Sequence, residues 1–167
     1  MKSTYWKALA VLAVGAAMLL TVRRGAAAHS DDWDRDGQTL KGTWVVTVTQ
    51  QACPSGPAIA LPFKSLLTFN AGGTMTETTD NPMFFPALRG PGHGVWNHTG
   101  PHTYSADTMA FVTVNGVLAK TQKISQTIEI GDDPDQFTTT SASVQFFDPT
   151  GTFLVSGCAT ATGQRLE

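Results

Sequence analysis

Three histidines fall within ten residues: His93, His98 and His102, in the stretch Gly92-His93-Gly94-Val95-Trp96-Asn97-His98-Thr99-Gly100-Pro101-His102. Imidazole is the commonest protein metal ligand, so a zinc or iron centre is the first chemistry to weigh. Extended chain rises about 3.3 Å per residue, which sets His93 roughly 13–17 Å from the other two. At most His98 and His102 could share an ion, and two ligands without a third make a poor site. The acidic run Asp32, Asp34, Asp36, Gly37 matches the first half of a calcium loop, but Thr43 stands at the twelfth position, where a bidentate Glu is required. The sequence therefore calls for no metal and no cofactor. His93, flanked by two glycines, is instead a candidate for contact with a small ligand, and Tyr104 could add a hydroxyl.

A second set of residues shares one face of a strand. Leu118, Lys120, Gln122, Ile124, Gln126, Ile128 and Ile130 alternate with a polar row of Thr, Lys, Ser and Glu, so by the period of two they face inward. Buried polar groups need partners, and Lys120, Gln122 and Gln126 imply a partly polar or hydrated interior. Glu77, between Met75 and Thr79, could join them. An inward Glu77–Lys120 pair would serve as a buried ion pair, a ligand anchor or an acid–base couple; the plainer arrangement turns Glu77 outward and leaves Lys120 at the rim. The segment Asp80–Gly92 holds three prolines and the triplet Met83-Phe84-Phe85. An exposed apolar triplet is costly, so Phe84 and Phe85 are expected either to cap a cavity or to seal the core. Trp96, Phe69 and Phe111 are read as apolar interior residues, Trp96 as a ligand contact. No catalytic residue is assigned: Gly-x-Ser-x-Gly, His-Glu-x-x-His and the phosphate loop are all missing.

The elements that must position these residues are strands. After residue 40, segments rich in Val, Thr, Ile and Phe alternate with clusters of Gly, Pro, Asn and Asp. Strands are expected at about 43–50, 64–70, 73–79, 93–97, 102–114, 117–130, 136–147 and 152–161. Asn115-Gly116 is a strong hairpin signal. Eight strands joined mostly by short turns imply an antiparallel up-and-down barrel, since closure removes the exposed edges. The first and third connections, 51–63 and 80–92, are the long ones and share one end, which would be the open one. If first and last strands are neighbours, paired positions have a constant sum: 209 for Trp44 with Arg165 and 211 for Cys53 with Cys158. Two unrelated features thus point to nearly one register. An even pair of cysteines in an exported chain most simply forms one disulfide.

The chain resembles a lipocalin-type (calycin) barrel in Gly42-Thr43-Trp44 and in Arg165 beyond the last strand. The resemblance implies that Arg165 packs over Trp44 and plugs the closed end by a cation–π contact. With no room for a helix after the eighth strand, it is similar to the minimal bacterial lipocalin-like domains.

Residues 1–28 read as a signal peptide: Lys2 and Lys7, an apolar stretch from Ala8 to Val22, and Ala26-Ala27-Ala28 as a cleavage pattern. Arg23 and Arg24, between core and cleavage site, keep open the alternative of a retained anchor. Residues 29–41 form a polar acidic leader and 42–167 the barrel domain, in a chain of 167 residues with formal charge −2. Without a basic stripe, nucleic acid is not an expected partner. The mature chain is expected to be secreted or periplasmic, to lack a transmembrane span, and to be a monomer or small homo-oligomer. Three functions remain: non-catalytic binding of a small hydrophobic or amphipathic ligand at the open end, a packed structural barrel, and a small-barrel cyclase or isomerase similar to allene oxide cyclase.

Overall fold

The computed structural model describes residues 39–167; the expected signal peptide and most of the acidic leader lie outside the described residues. Eight strands run in sequence order: β1 (Gly42–Gln51), β2 (Phe63–Phe69), β3 (Thr74–Asp80), β4 (Leu88–Gly100), β5 (Thr103–Val114), β6 (Val117–Ile130), β7 (Gln136–Phe147) and β8 (Phe153–Arg165). Each pairs antiparallel with the next, and β1 pairs with β8, closing the barrel. No edge strand is left to recruit another chain. Among the described residues, no helix is long and apolar enough to cross a membrane.

The β1–β8 ladder runs from Trp44↔Arg165 to Gln51↔Cys158, a single register throughout. Cys53 lies two residues beyond the end of β1, so it bonds Cys158 from the connection rather than from across the ladder, with the Cα atoms 5.2 Å apart. At Asn115 and Gly116 both φ angles are positive, 51° and 77°, as a two-residue hairpin of matching twist requires.

Alternation sorts the side chains. Trp44, Phe69, Met75, Trp96, Tyr104, Ile128, Ile130 and Phe137 are buried in the closed half, while Thr, Ser, Lys and Asp dominate the outward rows. A membrane-spanning barrel carries the reverse, an apolar outer band around a polar lumen. The guanidinium of Arg165 sits 4.2 Å from the Trp44 ring centroid. It also donates to the carbonyls of Thr39, Lys41 and Pro134 and pairs with Asp135 at 2.7 Å. Gly42 has φ 122°, and a Cβ there would come within 2.9 Å of Arg165 Nη1; the glycine of Gly42-Thr43-Trp44 leaves room for the guanidinium. Trp44 Nε1 donates to Leu40 O and Trp96 Nε1 to Asn70 O, so neither buried indole is unsatisfied.

Three expectations need correction. The last strand runs to Arg165 and not to 161, so Arg165 is the final residue of β8, paired with Trp44, and does not lie beyond the strand. β4 begins at Leu88, five residues before the expected start at 93, which shortens the third connection to residues 81–87. The ladder slips between Arg89 and Gly92, so Pro91, which cannot donate to a ladder, sits where none is required. Phe111 is not interior: it lies on the outward row of β5 and is exposed.

Candidate functional site

The open half is built differently from the closed half. Where the closed half is filled by tryptophan and phenylalanine, the inward positions of β7 and β8 above it are Ala142, Val144, Ala159 and Ala161. Small side chains side by side on two neighbouring strands leave a cavity. The cavity volume is about 60 Å³, room for roughly two waters at about 30 Å³ each.

Its walls differ in polarity. Val46 and Val48 of β1, Leu67 of β2, Ile124 of β6 and the β7–β8 alanines make an apolar side; Ser65, Glu77, Thr79, Asn81, Arg89, Gln122 and Gln126 make a polar one. The polar side is wired as a chain. Arg89 Nη2 donates to Glu77 Oε1 at 2.9 Å and Arg89 Nε to Gln122 Oε1, while Nη1 reaches Gly90 O at 3.2 Å. Glu77 Oε1 also accepts from Thr79 Oγ1 at 2.6 Å, and Ser65 Oγ has its single proton to donate either to Thr79 Oγ1 at 2.9 Å or to Thr78 O at 3.1 Å. The ion pair is nearly dry, with the side chains of Arg89 and Glu77 only 3% and 8% exposed. Gly92, opposite Glu77 in the ladder, is part of the arrangement: a Cβ there would stand 3.0 Å from Glu77 Oε2.

Of the sequence-selected residues, the fold brings Glu77, Phe84, Gln122 and Gln126 together around this cavity. Glu77 faces inward, and its partner is Arg89 rather than Lys120. Lys120 stays at the rim with its ammonium 5.4 Å from the Phe146 ring centroid. His93 is exposed on the outward row of β4, opposite Thr76 and Met109, because its neighbours Gly92 and Gly94 take the inward positions. Trp96 and Tyr104 pack against each other at a tilt in the closed-end plug, with centroids 5.8 Å apart, and do not line the cavity. The Met-Phe-Phe triplet divides. Phe84 turns over the mouth with its ring 6.3 Å from Phe146, held in a 3₁₀ turn Pro82–Phe84 that Asn81 caps through Met83 N–H. Met83 and Phe85 project into solvent, Phe85 at 88% exposure, so they neither cap nor seal.

Arg89 is the residue the sequence reading missed. The break Gly90-Pro91-Gly92 made its segment look like a loop, and the ladder slip removes any period-two signal. A signal was present all the same: an inward Glu77 requires a cation or hydrogen-bond donors within reach. Among the described residues, no three His, Cys, Asp or Glu side chains come together as a metal site.

No protein-family model matches the chain, and no curated protein is significantly similar to it. Among solved structures it is similar to a redesigned β-barrel, with 20% identity over 77% of this chain and 92% of that one, TM-score 0.40. It is also similar to EF1p2_mFAP2b bound to DFHBI, with 21% identity over 80% of this chain and 99% of the other, TM-score 0.49. At these identities the likenesses carry nothing about a ligand for this chain, whose closed eight-stranded barrel rests on its own ladder.

Proposed function

We propose that this is an exported lipocalin-like barrel that binds a small amphipathic molecule, its polar group against Glu77, Arg89 and Gln122 and its apolar part along β1, β7 and β8. One observation carries the reading: a dry ion pair wired to an amide on one wall of a cavity whose other wall is mostly aliphatic, with Gln50 and Thr160 among its valines and alanines. Ligand pockets have this composition, mostly apolar with a few placed polar groups. The pair is internally neutral, so it suits an uncharged hydrogen-bonding group such as a hydroxyl or amide. With only about 60 Å³ free, the occupant is a small molecule or the end of a longer chain that leaves past Phe84. The Gly-x-Trp and Arg165 pairing supports the lipocalin-type assignment, and the Cys53–Cys158 disulfide supports an oxidising compartment.

The small free volume favours a second reading, a barrel that holds only water. A cyclase or isomerase has less support, because Glu77 Oε1 is already held by Arg89 and Thr79. Native mass spectrometry of the chain from its own host, followed by melting in a series of medium-chain alcohols, amides and carboxylic acids, separates these. Binding predicts a small molecule lost on unfolding and a saturable rise in Tm for alcohols or amides. A bare polypeptide mass with no saturable shift in any series leaves the water-filled barrel.

A further inference from the structure

The ion pair does not use all of Glu77. Arg89 Nη2 and Thr79 Oγ1 both donate to Oε1, and no protein group donates to Oε2. That oxygen is not sealed off. Among the described residues, the fully enclosed side-chain polar atoms without a partner are the hydroxyls of Thr108 and Thr139. Glu77 lines the cavity and is only 7% exposed, so a buried carboxylate oxygen faces the free space with its lone pairs unmet. An unpaired buried acceptor is unfavourable, and an occupant that donates to it removes the penalty.

Two amides on the same walls have the opposite sense. Arg89 Nε can only donate, so the Gln122 atom it holds is the carbonyl oxygen, and Nε2 is the free end. Asn81 Oδ1 accepts from the N–H of Met83, which leaves Nδ2 free in the same way. Both side chains line the cavity, at 6% and 9% exposure. An occupant therefore meets one group that only accepts and two that only donate. A hydroxyl, with one hydrogen and two lone pairs, matches that count. A ketone or ester has no hydrogen for Glu77. A carboxylate would add a second negative charge beside it, and an ammonium ion has no lone pair for the amides.

We infer that Glu77 Oε2 determines the specificity of the cavity, admitting the hydroxyl of an aliphatic alcohol and refusing the carbonyl of the same skeleton. The hydroxyl donates to Oε2 and accepts from the free amide ends, while the alkyl part lies along the valines and alanines of β1, β7 and β8. A carbonyl in the same place leaves the Glu77 oxygen dry and unpaired, which is how a site built around a hydrogen bond rejects an analogue that lacks the donor. The inference rests on the ligand reading above and narrows it to heads that carry a hydrogen to donate.

The test is isothermal titration calorimetry of the full chain with methyl butyl carbinol and methyl butyl ketone, an alcohol and a carbonyl on one carbon skeleton. The carbinol is expected to bind at least about tenfold more tightly. Glu77→Gln is the matched variant. Arg89 and Thr79 still require an acceptor at Oε1, so the amide nitrogen takes the place of Oε2 and a donor faces the cavity. In that variant the preference should shrink to within about threefold or invert. Equal affinities in the native chain overturn the inference and leave the ligand reading standing. Binding of neither compound overturns it too, and the ligand reading then survives only if native mass spectrometry finds a small molecule lost on unfolding. A Glu77→Gln chain that keeps the full preference also overturns it, since the selection would come from elsewhere. The two compounds on the native chain decide the question even where the variant, with Arg89 left uncompensated, fails to fold.

Discussion

Breaking the Glu77–Arg89 pair tests the account of the interior most directly. The two side chains are 8% and 3% exposed, and Arg89 has three hydrogen bonds inside the barrel. Removing one partner strands the other charge where water barely reaches, at a cost of about 3–5 kcal/mol. A solvent-exposed pair would cost about 0–1 kcal/mol instead. Glu77→Leu and Arg89→Met should each fall in the higher range, a large share of the roughly 5–15 kcal/mol that holds a domain together. The double variant removes both charges and fills the space with apolar volume. It strands Gln122 Oε1, for about 1–3 kcal/mol, against a gain of similar size from no longer desolvating two ions. It should therefore lie within about 2 kcal/mol of the native chain, a coupling of several kcal/mol between the sites. Urea unfolding of the oxidised protein, followed by tryptophan fluorescence, measures all four corners of the cycle. Single variants that each cost under about 1 kcal/mol and add in the double would refute the buried, mutually dependent pair.

The other perturbations bear on the frame around the site. Arg165→Ala removes the contact with Trp44, the Asp135 pair and three carbonyl partners, and should cost about 2–4 kcal/mol in the same unfolding assay. Lys at this position should rescue little, because one ammonium cannot reach so many divergent acceptors. Replacing Cys53 and Cys158 by serine opens a loop of 105 residues and should lower stability by about 4–5 kcal/mol in the chain-entropy model, matched by reductant acting on the native chain. Gly163→Ala would bring a Cβ to 2.2 Å from the Phe137 ring, which already packs on Trp44 at 4.9 Å; a loss of about 1–3 kcal/mol is expected. Asp148 accepts from the Thr150 hydroxyl and from the backbone N–H of Thr152 and Thr150, which hold its carboxyl below the ordinary value of 3.8. Its contribution to the β7–β8 turn is therefore complete above the ordinary carboxylate range and lost as pH falls through the lowered value. The Thr150 and Thr152 amide resonances should report that titration, and Asp148→Asn should abolish it.

The barrel was legible because its signals are local and repeated. Alternation, turn chemistry and two pairs of positions with nearly equal sums gave the strand count, the closure and the β1–β8 register. Inward orientation of Gln122, Ile124, Gln126, Ile128 and Ile130 followed from the period of two alone. The site was legible only in part. His93 sat in a conspicuous motif, yet its direction is set by Gly92 and Gly94, whose missing side chains admit Glu77 and the β5 backbone (a Cβ on Gly94 would meet Asp107 O at 1.9 Å). Arg89 failed for the opposite reason: a ladder slip next to Pro91 hid an ordinary strand residue inside a breaker cluster.

The Arg89 error arises where strand β4 departs from regular pairing, between Arg89 and Gly92, and that is also where the interior changes character. Regular alternation in a small barrel delivers a filled core, as the closed half shows with Trp44, Phe69, Trp96 and Phe137. A cavity needs an interruption: small residues on neighbouring strands, and a bulge that turns a long polar side chain inward. Ala142, Ala159 and Ala161 supply the first, Arg89 the second. The ion pair then keeps the space polar on one wall, where an apolar filling of equal volume would cost no desolvation. Such a pair is weakly justified by stability, so the double variant that spares stability is also the one that should abolish the binding proposed above.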